Sequence, residues 1–169
     1  NNNFAVVWHS SFPYLSSPDL SWFNCDEDNT IKTKNGYECD DHDNWGWYPE
    51  EREEVANFIK NNDIPVCIVS GDAHMSAIDD GTNSDYATNG GAPIPILHAG
   101  PLDRKPSIKG GPYSHGVSGI RGQYGIMEIT DNGGDELCIE WKIKNYKGEF
   151  VLNTEGELLQ YSFCFQLDN

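Results

Sequence analysis

Five residues, Val66-Cys67-Ile68-Val69-Ser70, run without a break into Gly71-Asp72-Ala73-His74. A short apolar run rich in β-branched side chains and closed by a glycine reads as a buried strand, and one with so little alternation reads as a parallel strand covered on both faces. In α/β folds, ligand sites gather at the carboxyl ends of such strands. At that end this chain carries a carboxylate, Asp72, and an imidazole, His74, two residues apart. Both groups ligate metals and both suit acid-base work. Gly-Asp-x-His by itself is equally the sequence of a turn with a capping Asp and a surface His.

Upstream stands Asp43-Asn44-Trp45-Gly46-Trp47-Tyr48-Pro49-Glu50-Glu51-Arg52. Pro49 is suited to a first helical position, and the glutamates after it favour the positive end of a helix dipole. Val55, Phe58 and Ile59 recur at helical spacing and predict a core-facing stripe, with Asn61-Asn62-Asp63 closing the helix. Asp-x-Trp-x-x-Tyr, then Arg, an amphipathic helix and a strand ending in Gly-Asp-x-His is a pattern that resembles the PhoD-like alkaline phosphatases and phosphodiesterases, within the calcineurin-like metallophosphoesterases. The specific resemblance runs over residues 43–104, a little over a third of the chain.

The resemblance implies an α/β (α+β) fold, a two-layer metallophosphoesterase β-sandwich flanked by helices, of which this chain holds the C-terminal half as one partial domain over residues 1–169. It implies metal ligation by Asp43, Asp72 and His74, with Asp72 and His74 the catalytic pair. It makes Trp45 and Tyr48 the walls of the site and Arg52 an anchor for the Asp43 loop or the partner of an acidic neighbour. Such enzymes hold two metal ions (Ca, Fe, Mn or Zn), which lower the pKa of a bridging water and clamp the phosphoryl oxygens. The ligands that family members contribute from their first half, a Gly-Asp and a Gly-Asn segment, have no counterpart before Asp43. The expected partner is therefore the missing N-terminal half, in the same precursor or as another chain, together with a phosphoester substrate. Half a layered fold is expected to expose a large apolar face.

Lys plus Arg number 11 against 27 Asp plus Glu, a formal charge of −16. That balance argues against binding a nucleic-acid polymer or an anionic membrane, and no run is long enough to span a bilayer. Aromatic residues at 12% are too many for a disordered acidic tail. Five cysteines leave one over. Cys25 and Cys39 flank a polar segment and are one candidate disulfide; Cys138 and Cys164, in predicted strands, are another; Cys67 reads as a buried thiol. This fits a secreted, extracellular or periplasmic protein, while five reduced cysteines in a cytosolic chain is the competing reading.

Residues 4–8 predict a strand, with His9 at its end. Residues 13–42 are rich in turn formers and read as a loop excursion. Residues 77–91 read as a polar connection, and 93–98 as a short strand ending in His98, which the resemblance puts at the site mouth. The glycine-rich segment around His115 is either a loop that closes over a substrate phosphate or a surface loop. From residue 123 to 167 the period is that of an antiparallel β end: strands over 124–130, 136–143 and 158–165, with Asp131-Asn132-Gly133-Gly134-Asp135 as a hairpin turn. Two functions stand side by side: metal-dependent hydrolysis of phosphate mono- or diesters as part of a PhoD-like enzyme, or a catalytically lapsed, disulfide-stapled structural or interaction module on the same fold.

Overall fold

The computed structural model describes residues 4–15 and 45–167. In chain order these form β1 (Val6–Ser10), a 3-10 turn (Trp45–Trp47), α1 (Pro49–Asn61), β2 (Val66–Ser70), β3 (Ser76–Asp79), β4 (Ile96–His98), β5 (Val117–Ser118), β6 (Gln123–Asp131), β7 (Glu136–Asn145) and β8 (Gln160–Gln166). Asp43, Cys25, Cys39 and almost all of the segment 13–42 lie outside the described residues. One helix and two sheets place the described chain in the α+β class.

The first sheet has the order β1-β2-β4-β3-β5. β1, β2 and β4 are parallel, in the register Val7↔Cys67, Ile68↔Ile96 and Ser70↔His98. β3 turns back antiparallel beside β4, and β5 pairs antiparallel with β3. The second sheet is the antiparallel set β6-β7-β8. Its first turn is fastened by the Gly133 N–H donating to the Asp131 carboxylate at 2.8 Å.

Layering explains the β2 sequence. On one face Val66 and Ile68 pack with Ile94, Ile96, Tyr14 and Leu15, and with Ile59 of α1. On the other face Cys67 joins Ile78 and Leu97 against Ile139, Trp141 and Ile143 of the second sheet. Residues alternate across the sheet, yet both faces are covered, so the strand reads as a continuous apolar run. Full burial of each of these large side chains is worth about 1.5–3 kcal/mol, so both faces of the first sheet contribute to stability.

α1 begins at Pro49, carries Glu50 and Glu51 in its first turn and Lys60 in its last, and so suits its own dipole. Its inward face differs from the expected stripe. Phe58 is 61% exposed, whereas Arg52 and Ala56 are buried and Ile59 packs inward. Positions 52, 56 and 59 lie one turn apart on a single face, and the small Ala56 lets the helix sit close on Ala87 and Ala92.

β1 is an outer strand, and among the described residues its far edge has no partner. Phe4 and Val7 are exposed beside that edge. The disulfide Cys138–Cys164 joins directly opposed positions of β7 and β8, with an S–S distance of 2.01 Å. Cys67 is a buried free thiol whose pKa burial pushes up to about 12. Among the described residues no helix is long and apolar enough to cross a membrane.

Candidate functional site

The three parallel strands end at one rim. There Ser10, Ser70 and His98 are register neighbours across β1, β2 and β4, and all three are buried. They continue the face that carries Val66, Ile68 and Ile96, so a polar row closes the apolar layer under α1. Each member of the row has partners. The Ser10 hydroxyl donates to the Phe12 carbonyl at 2.7 Å and accepts from Trp45 Nε1–H at 3.1 Å. Ser70 Oγ lies 2.8 Å from His98 Nδ1, and His98 Nε2 lies 3.0 Å from the Ala73 carbonyl. Burial lowers the His98 pKa to about 4, against the smaller opposing effect of the Ala73 carbonyl.

The loop 71–75 rises from this row. The Ala73 N–H donates to the Gly71 carbonyl at 2.9 Å and the Met75 N–H to the Ala73 carbonyl at 2.8 Å. These are two successive three-residue turns. Asp72, central in the first, has φ +70, a region that non-glycine residues rarely enter. The Asp72 side chain is exposed and His74 is half-buried. A strap of residues 107–111 crosses beside them. The Ser107 N–H donates to the His74 carbonyl at 3.0 Å, and a side chain at Gly110 (φ +66) would run into the Leu15 carbonyl.

Trp45 is held at the same rim. Its ring lies 5.4 Å from Trp8, 5.9 Å from Phe12 and 5.8 Å from Tyr14, and its backbone N–H donates to Pro13 at 3.0 Å. The chain two residues beyond Asp43 is therefore pinned at the end of β1. Tyr48 is 41% exposed, and its carbonyl accepts the Arg52 N–H at 2.9 Å. Arg52 is 2% exposed. Its guanidinium lies 3.5 Å over the Tyr86 ring and donates to the Tyr14 carbonyl at 3.2 Å. It ties α1 to the segment before residue 16, and burial lowers its pKa.

Two expected site residues sit elsewhere. His98, expected at the mouth, is fully buried beneath the loop. His115 lies at the far end of β3 from His74: its N–H donates to Ile78 at 3.0 Å, its ring is 4.6 Å from Tyr161, and Nε2 is 3.8 Å from Asp80. There Asp79, fully buried, accepts from the N–H groups of Gly81, Asn83 and Ser114 and from the Asn83 amide. The segment around His115 is thus part of a loop anchor and stands away from Asp72. Sequence reasoning missed Ser10 and Ser70, whose only signal was a serine closing each apolar strand.

An exposed carboxylate and a half-buried imidazole just past the carboxyl end of β2 are two donors that a cation can use. Among the described residues, neither Asp72 nor His74 belongs to a group of three ligand atoms within 4.8 Å of one another; Glu136, Cys138 and Cys164 form such a group, and there the two sulfurs are joined in the disulfide. Two donors are fewer than the three protein ligands that hold a catalytic zinc. The described residues alone do not fit a metal centre, and Asp43 lies outside them. Compared with protein-family models, curated proteins and solved structures, the chain matches none.

Proposed function

We propose that this chain is the C-terminal part of a metal-dependent phosphoester hydrolase of the PhoD-like kind, on a metallophosphoesterase β-sandwich. The observation that carries the reading is the form of the Gly-Asp-x-His segment. It is a tight loop at the carboxyl end of a buried parallel strand, with Asp72 held at φ +70 and exposed. Strain of this kind concentrates at functional sites. Asp72 and His74 serve as metal ligands together with Asp43, and the remaining ligands come from a first-half segment, in the same precursor or as a second chain. Metal ions held by these residues and the absent ligands would supply Lewis-acid activation of a water and charge stabilisation at a phosphoryl group. This chain's own part is to orient the carboxylate and imidazole at the rim where Trp45 is held. The disulfide is consistent with a secreted protein.

The test is turnover of an aryl phosphate and a bis-aryl diester by the native protein, with any co-purifying chain retained, in the presence of Ca, Mn, Fe or Zn. Asp72→Asn and His74→Ala are each expected to lower kcat/KM at least about 100-fold, the upper end of what losing a mere supporting partner costs. The melting temperature should stay near that of the parent. Full activity in either variant sinks the proposal. No turnover with any metal favours instead a catalytically lapsed structural or interaction module, a reading for which the pair of donors among the described residues speaks.

A further inference from the structure

The pair Ser70–His98 looks at first like a nucleophile with its base, since Oγ and Nδ1 are 2.8 Å apart. Burial excludes that role: Ser70 is 4% exposed and His98 has no exposed surface, so neither meets a substrate. The second ring nitrogen shows what the pair does. A neutral imidazole has one donor and one acceptor nitrogen. The Ala73 carbonyl only accepts, so Nε2 carries the proton and donates to it at 3.0 Å. Nδ1 then accepts from the Ser70 hydroxyl.

Ala73 is the residue between Asp72 and His74, and its backbone closes both turns of the loop. Its N–H reaches Gly71 across Asp72, and its carbonyl takes the Met75 N–H across His74. A three-residue turn with its central residue at φ +70 is a rare and strained form, and such a conformation persists only where its surroundings hold it. Among the described residues, the side chain that grips the loop backbone from below is His98. We infer that His98 is a positioning residue: through the Ala73 carbonyl, which fixes its tautomer, it holds the strained turn that presents Asp72 and His74, while the Ser70 hydroxyl satisfies Nδ1. Its consequence for hydrolysis rests on the function proposed above; its grip on the loop does not.

The experiment therefore reads the loop and the reaction separately. Long-range proton–nitrogen NMR of the wild-type chain, without metal, is expected to show His98 as the Nε2–H tautomer. An Nδ1–H tautomer overturns the inference, and this readout needs no variant to fold. Amide exchange at Ala73 and Met75, again without metal, is expected to quicken about two- to tenfold in His98→Leu, the equivalent of one lost hydrogen bond. Amides of β7 should be unmoved. His98→Gln keeps a side-chain N–H donor and should restore most of the protection. Unchanged exchange in a folded His98→Leu also overturns it. If the protein turns over phosphoesters, kcat should fall about 10–100-fold in His98→Leu and recover in His98→Gln. If no metal supports turnover while tautomer and exchange behave as expected, the hydrolase reading fails and the loop clamp stands.

Discussion

A histidine with no exposed surface sits where an apolar residue would be easier to bury, and its protonation is correspondingly hard. In the unfolded chain an imidazole takes up a proton near pH 6.5; in the folded protein burial holds His98 neutral down to about 4. The folded state therefore binds fewer protons between these values. The stability that His98 contributes by staying neutral is complete above pH 6.5 and is lost as the pH falls through the window to about 4, to the extent of about 3 kcal/mol. Urea titrations across that window should show the decline for the wild-type chain and a shallower slope for His98→Gln. Equal slopes would mean that another group governs the acid side. Cys67 shows the same physics with the opposite sign of shift: burial favours its neutral thiol too, and that raises its pKa.

The elements are joined where side chains are smallest or most fully partnered. α1 is fastened by Arg52, whose guanidinium covers Tyr86 and reaches the Tyr14 carbonyl. Gly125 of β6 packs closely against the end of β4. A Cβ added there would stand 2.8 Å from the Ala99 Cβ and 3.4 Å from Leu97 Cδ2. Ala99 follows directly on His98, so the space that Gly125 leaves also lets β4 end where the polar row requires. Gly125→Ala is expected to destabilise the protein by about 1–3 kcal/mol through overpacking, seen as a lower urea midpoint with an unchanged slope. A neutral or stabilising result would mean that the sheets can separate locally at no cost.

At the scale of the whole molecule, a covalent link between β7 and β8 adds to non-covalent packing. Cys138 and Cys164 are 26 residues apart in sequence and tie β8 to the middle strand of its sheet. Replacing both by serine should lower stability by about 2–4 kcal/mol, with a melting point lower by several degrees. In the native chain, alkylation without reduction should leave both cysteines unmodified by mass; labelling of either one would show that the bridge is not formed. Among the described residues the first sheet ends at β1, where Phe4 and Val7 are exposed. That edge lies beside the rim that carries Ser10, Trp45 and Ser70.

What could be read from the sequence was whatever depends on near neighbours in the chain. The apolar run of β2, the Pro49 start of α1 and the Asp131 hairpin turn each follow from local composition, and each is present. β3 escaped because Ser76-Ala77-Ile78-Asp79 has neither alternation nor length. Its two ends are polar groups satisfied at a distance: Ser76 donates to the Gly100 carbonyl and Asp79 gathers four N–H bonds. Phe58 looked inward by spacing, yet Arg52 and Ala56 took the buried face, because the partners for a buried guanidinium, Tyr86 and Tyr14, come from far along the chain. Asp72 and His74 were legible as a motif. That Asp72, beside a glycine, is the residue forced to positive φ was not legible. The row Ser10–Ser70–His98 exists only through strand register, since no local rule brings residues 10, 70 and 98 into line. Sequence alone determined the chemistry carried on the loop, because side-chain identity is local. The tertiary structure decided which buried histidine would hold that loop in place, because the 3.0 Å hydrogen bond from His98 Nε2 to the Ala73 carbonyl needs the end of β4 brought beneath a loop that is distant in sequence.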